Sequence, residues 1–302
     1  MRPARQPTLY SRARLLDRLT ITMATPWDRA SEGYVAEWLP RFTPYHVDLV
    51  EELLVEGTAA RVLVPCCGTG AEVIGVAREL APGGVVRATD ADPVMAAFAE
   101  SRVRAAGFDG VSVERAAAED ASGGPWDVVL CAFGLWQLDH RTDVLHAWKS
   151  ALAPHGKVGV LTWGPPDDED PIELMTKCVR EREPTIEIVA PRILSALDSM
   201  AAMFDAAGLS LGRHTVLRHT ISFASAEGFV AALREARHWH ELFARLGEER
   251  TAKIISAFYD KVGGPTAPVP WVAPATLAVA AAPGDEIALR SRPSIKVSAP
   301  TK

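Results

Sequence analysis

Over residues 27–55 apolar positions recur at helical spacing, interrupted by Pro40 and Pro44, so the pattern predicts two or three short amphipathic helices. The texture then changes. Residues 61–65, Arg-Val-Leu-Val-Pro, form a short apolar run ending in a glycine turn, as a buried strand does when it enters a loop. A helical period resumes over 71–80 and stops at Pro82-Gly83-Gly84. Further strands are predicted at 85–89, 111–114, 126–131 and 157–163, with helices over 93–106 and about 141–152 and a turn at Pro154-His155-Gly156. Strand and helix alternating at this interval imply a parallel sheet covered on both faces, and right-handed crossovers make it doubly wound.

Beyond residue 163 the alternation loosens. Residues 165–171 are acidic and bounded by proline, which predicts a solvated loop. A helix over about 191–207, a sixth strand at 211–223, a largely helical insertion at 225–262 and a last strand at about 276–282 complete the pattern. The expected fold is therefore α/β, with a seven-stranded, mostly parallel sheet, helices preceding it and a helical insertion before the last strand. The chain divides into an extension (1–25), N-terminal helices (26–58), a core (59–164), a loop, helix and strand (165–224), the insertion (225–270), the last strand (271–291) and a tail (292–302).

Composition excludes several classes. At 48% hydrophobic and 23% charged residues, a 302-residue chain buries a core large enough to need no disulfide or metal staple. The net charge of -6 is spread along the chain and weighs against nucleic acid, which requires a concentrated basic surface. No apolar run approaches the roughly 20 residues of a membrane span. Cys66, Cys67, Cys131 and Cys178 lack zinc spacing, and neighbouring Cys66 and Cys67 cannot form an ordinary disulfide. They read as buried thiols in a reducing cytoplasm. Five arginines and one acid in the first 22 residues fit either a transit segment or a poorly ordered extension.

The glycine turn after the first strand is the candidate for chemistry. Glycine admits close backbone approach, and the helix behind it offers free N–H groups at its positive end. Dinucleotide enzymes use the same device, but the third glycine of their fingerprint is replaced here by Val73. Asp90, 20 residues beyond Gly70, ends the second strand and could accept ribose hydroxyls or cap the helix at Pro93.

Three strings then become specific. Arg61-Val-Leu-Val-Pro-Cys-Cys-Gly-Thr-Gly70 resembles motif I of the class I S-adenosylmethionine-dependent methyltransferases. Trp126-Asp-Val-Val-Leu-Cys-Ala-Phe-Gly-Leu-Trp136 resembles their fourth strand, and Ala151 to Val160 resembles the turn into their fifth. Ubiquinone/menaquinone-biosynthesis-type and natural-product enzymes are the nearest in pattern, and the resemblance covers about residues 59–164. It implies a Rossmann-like sheet, N-terminal helices acting as a lid, and S-adenosylmethionine as cofactor. Position by position, Cys66, Gly68 and Gly70 would pass under the methionine part. Asp90, with Ala91 beside it, would hold the ribose, and Met95 would pack near the adenine. Ala118 and Glu119 would flank the adenine, although Glu119 also suits a solvated surface. Cys131 and Phe133 would border the sulfonium. The chain departs from the pattern in two respects: Val64 and Pro65 stand where motif I carries an acid, and Ala117 stands where an adenine-binding acid is common.

Methyl transfer from a sulfonium relies mostly on orientation and exclusion of water, and needs a base only where the acceptor must lose a proton. His140 is the candidate base, with His46 and the insertion histidines behind it. Tyr34, Trp38, Tyr45, Trp136 and His238 are the candidate substrate residues. Their aromatic character suits an apolar, flat or cationic small molecule, although Tyr34 and Trp38 equally suit helix packing. No carboxylate cluster suited to a divalent metal is legible. A homodimer is compatible with the sequence, as are two other functions: methylation of protein or RNA, and cofactor binding without catalysis.

Overall fold

Strands buried on both faces need an apolar residue at every position, and Val62, Leu63 and Val64 are each fully buried. The computed structural model describes residue 33 and residues 35–285, apart from 56, 166, 168, 169, 187, 189–193 and 195. Tyr34, the arginine-rich start and the tail lie outside the described residues.

The strands are β1 (Arg61–Pro65), β2 (Val85–Asp90), β3 (Val111–Arg115), β4 (Trp126–Ala132), β5 (Leu152–Trp163), β6 (Ser210–Phe223) and β7 (Val269–Ala281). They form one sheet in the order β3-β2-β1-β4-β5-β7-β6. β1 to β5 pair in parallel, while β7 lies antiparallel between β5 and β6. The seven-stranded, mostly parallel sheet expected from the sequence is the one observed. Chain order reverses between β1 and β4, and the crevice beyond the carboxyl ends of such strands is where open α/β sheets bind ligands.

The helices are α1 (Leu39–Leu53), α2 (Ala71–Glu79), α3 (Pro93–Ala106), α4 (Arg141–Ser150), α5 (Pro171–Arg182), α6 (Leu197–Ala206), α7 (Ala226–Arg234), α8 (Arg237–Leu246) and α9 (Glu248–Val262). Alternate residues of each central strand serve opposite cores. Val62, Val64, Val128 and Leu130 meet α1 to α3, whereas Leu63, Val129 and Cys131 meet α4 and α6.

Helix α5 falls where the sequence predicts no element, and three boundaries differ from expectation. Pro44 does not divide α1, which runs unbroken through it. An interior proline forfeits one backbone bond, a loss of about 3 kcal/mol. The buried face of Phe42, Tyr45, Leu49, Val50 and Leu53 offsets it at about 1.5–3 kcal/mol per side chain. Pro154-His155-Gly156 is a bulge inside β5 instead of a turn before it. The ladder with β4 passes from Trp126↔Leu152 to Val128↔Lys157, and His155 takes φ 61°. Finally, β7 begins at Val269, ahead of the expected start. Pro270 and Pro274 lie in its first half, which pairs with β6 alone because pairing with β5 begins at Ala275. On that side Gly164 N donates to Pro274 O at 2.9 Å beyond the end of the β5 ladder, and the missing proline donors leave no ladder bond unmade.

Candidate functional site

Beyond the carboxyl ends of β1, β2 and β4 lies a cavity of about 490 Å³, within the usual range for small-molecule sites of about 300–1,000 Å³. Its floor is the loop after β1. Cys66, Gly68 and Gly70 all adopt left-handed φ, at 55°, 49° and 74°. Gly68 and Gly70 take it without steric cost, but Cys66 does not. Across the cavity Phe133, just after β4, is also left-handed at φ 54° and is pinned by its N–H to Leu161 O at 2.7 Å. Two non-glycine residues held in this region face one ligand-sized space, a pattern that strain at functional sites follows.

Asp90 braces the floor. Its Oδ2 accepts from Gly68 N at 2.8 Å and its Oδ1 from Asp92 N at 2.9 Å. Burial raises its pKa, and these two bonds oppose the rise. The cap of α3 belongs to Asp92, which accepts from Val94 N at 2.8 Å and Met95 N at 3.2 Å. Asp90 therefore ends β2 with a carboxylate reaching the cavity.

Of the residues singled out in the sequence, Cys66, Gly68, Asp90, Ala91, Met95, Ala118 and Phe133 line this space together. Gly70 shapes the loop from behind, where a Cβ would stand 3.0 Å from that of Ala99. Cys131 is buried next to Cys66 and does not line the cavity. The neighbouring Cys131 thiol and burial hold the Cys66 thiol well above its ordinary range, and burial does the same to Cys67. Neither is a thiolate at neutral pH. Glu119 is exposed and absent from the lining, and Arg115 occupies that side, its Nε donating to Ala91 O at 3.2 Å.

His140 and the described substrate candidates lie outside this lining. His140 is exposed ahead of α4 and outside the lining. Trp38 is buried with its Nε1 donating to Ala232 O at 2.7 Å, which ties α1 to the end of α7. Tyr45 is buried too; its hydroxyl donates to Ala273 O and accepts from His219 N at 3.2 Å. Burial pushes it up to about 12. Both belong to an aromatic wall behind Phe133, in which Phe42 and Trp163 stand 5.2 and 5.0 Å from the Phe133 ring. Trp136 meets His238 edge-on at 6.2 Å, joining the helical insertion to the turn whose next residues, Gln137 and Leu138, do line the cavity.

Two further residues line the cavity: His46, the secondary candidate base, and Glu72, which the sequence reasoning missed. His46 projects from α1 beside Phe133, its Nδ1 is buried without a hydrogen-bond partner, and burial pushes it down to about 4. Glu72 is buried in the first turn of α2, and burial pushes its carboxyl up to about 8. A polar residue beside Val73 and Val76 on a buried helix face, two places after the glycine that ends the loop, was the available signal. Among the described residues no three His, Cys, Asp or Glu gather closely enough to hold a metal ion, and no helix is long and apolar enough to cross a membrane.

Residues 66–158 match the family model of a methyltransferase domain. No curated protein matches the sequence. The YcgJ protein of Bacillus subtilis superposes with a TM-score of 0.55 at 17% identity, covering 79% of this chain and 98% of its own. The [4+2]-cyclase SpnF superposes at 0.53 with 17% identity, covering 82% and 83%. At these identities the likeness is one of fold, and a fold that includes a cyclase does not by itself fix the reaction.

Proposed function

We propose that this chain, a methyltransferase by the domain over residues 66–158, moves a methyl group from S-adenosylmethionine to a small, largely apolar acceptor. The observation that carries this reading is the left-handed loop at Cys66, Gly68 and Gly70 braced by Asp90 on the floor of a ligand-sized cavity. The residues present fit the cofactor. Carboxylates and backbone N–H groups suit hydroxyls and an amino acid, while Met95, Ala118 and Leu138 suit a flat heterocycle. A Cβ on Gly68 would meet nothing within 4 Å, so the loop has open space above it.

When bound, S-adenosylmethionine supplies a methyl carbon already activated by a positive sulfur. The protein's work is then placement. Asp90 would take the ribose hydroxyls, and Met95 and Ala118 the adenine. Phe133 and the aromatic wall behind it would keep water from the reacting end. Where the acceptor must lose a proton, His46 is the proposed proton acceptor, since it lies at the cavity wall with an Nδ1 that has no hydrogen-bond partner among the described residues, although its burial weakens it as a base. His140 has no such access. The helices α7 to α9 form the substrate cap, and the Trp136–His238 contact couples that cap to the cavity's rim. The four free thiols support a reducing, cytoplasmic setting.

Calorimetry tests the reading. S-adenosylmethionine and S-adenosylhomocysteine should each bind at one site, and Asp90→Ala should weaken both by about 10- to 100-fold, the scale of a hydrogen bond to a charged group. Binding of NADH in their place, or an unchanged Asp90→Ala variant, would overturn it. Turnover on a panel of small acceptors, with His46→Gln beside the wild type, completes the test.

A further inference from the structure

The pattern's usual acid is missing before the binding loop, where Val64 and Pro65 are wholly inside the sheet. The cavity nevertheless holds a second carboxylate besides Asp90. Glu72 is 5% exposed and lines the cavity from α2. A carboxylate removed from water is costly unless paired with a cation or neutralised by a proton. Among the described residues no cation hydrogen-bonds to Glu72. Arg102 acts on it through space but commits its Nη1 to Thr69 O at 2.7 Å. An acid in this position suits a cationic ligand group.

Resting on the reading above, we infer that Glu72 binds the α-ammonium of the cofactor's methionine end, in place of the absent acid before Cys66. The free protein stores the site as a neutral carboxyl, since burial holds it protonated up to about pH 8. A ligand ammonium arriving beside it favours the ionised form, so the proton leaves to solvent and an ion pair remains. Binding should therefore release a proton at neutral pH and strengthen as pH rises from 6 toward 8. The other groups facing this space do not reproduce that signature. His46 on α1 is already neutral above about 4, Cys67 is held as a thiol, and Arg102 on α3, whose guanidinium acts on Glu72 through space, stays a cation. Asp90 on β2 is also raised by burial, and a variant confined to Glu72 separates its share.

The test uses S-adenosylhomocysteine, which keeps the ammonium and lacks the sulfonium, and the same molecule with hydrogen in place of the ammonium. Calorimetry in buffers of different ionisation enthalpy should show the wild type releasing up to about one proton per S-adenosylhomocysteine bound at pH 7. Glu72→Gln should bind it about 10- to 100-fold more weakly, without proton release, and the deaminated molecule should bind wild type and variant alike. An unchanged Glu72→Gln affinity, or proton release that survives the substitution, overturns the Glu72 assignment while leaving the cofactor reading intact. Failure of the wild type to bind S-adenosylhomocysteine at all overturns both. Should Glu72→Gln not fold, a wild type that binds the deaminated molecule as tightly as the parent overturns the assignment on its own.

Discussion

Gly134→Ala isolates the strain on which the cavity floor is built. Gly134 has φ -95° and ψ -43°, a conformation any residue adopts, so alanine there brings no backbone penalty. The cost is steric. The added Cβ would stand closer to Cys66 Cβ than the 3.0 Å that real contacts keep, and 3.1 Å from the sulfurs of both Cys66 and Cys131. Cys66 Cβ is fixed one bond from a backbone already in the left-handed region, so no rotamer change relieves the overlap and the loop must move. Overpacking of this kind costs about 1–3 kcal/mol, and a clash against Cβ instead of a flexible end places it at about 2–3 kcal/mol. Cys66→Gly removes the clashing atom and also the left-handed penalty of about 1–2 kcal/mol, against the lost contact with Cys131. The double variant should therefore be more stable than Gly134→Ala alone, with a coupling of at least about 1.5 kcal/mol. Urea denaturation of the wild type, both single variants and the double closes the cycle, and cofactor titration of the same four proteins reads the floor's position. Single effects that add within about 0.5 kcal/mol would refute the reasoning.

Two further outcomes follow from the same structure. Burial lowers the folded pKa of His46 from 6.5 to about 4, so its contribution to stability is present above pH 6.5 and lost as pH falls toward 4. That is worth about 3 kcal/mol at 1.36 kcal/mol per unit. Glu72 has the opposite sign: raised from 4.5 to about 8, it withdraws stability as pH rises through that window. Denaturation midpoints against pH should be flattened on the acid side by His46→Gln and on the alkaline side by Glu72→Gln; parallel profiles would contradict both assignments. Replacing α7 to α9 with a short linker should leave cofactor affinity within about 3-fold while abolishing methyl transfer, measured by calorimetry and turnover. Collapse of affinity in a folded variant would place the insertion in the cofactor site instead.

The sheet and its glycine turn were legible because both are written locally. A run of branched residues followed by Gly68-x-Gly70 needs no knowledge of distant chain, and Asp90 follows from its place at the end of β2. What faces the cavity is a tertiary fact. His46 and His140 are equally polar letters, yet α1 buries one against Phe133 while the start of α4 leaves the other in water. Glu72 and Glu119 divide in the same way. Trp38 caps the start of α1 and Tyr45 lies within it, but their polar atoms reach Ala232 and Ala273, more than 190 residues on. No local pattern records those partners. Pro44 was misleading because a helix breaker is a local cost and the buried face of α1 is a larger, non-local gain.

Phe223 and Val269, the residues flanking the helical insertion, are direct cross-strand partners in the β6–β7 ladder. The sheet itself thus holds the two ends of residues 224–268 together, and closing that loop costs little more for a long segment than for a short one, about 0.6 kcal/mol per doubling. In evolutionary terms this is an exchange port. The segment can be lengthened, shortened or replaced between two fixed anchors while β1, β2 and β4 keep the same cavity floor.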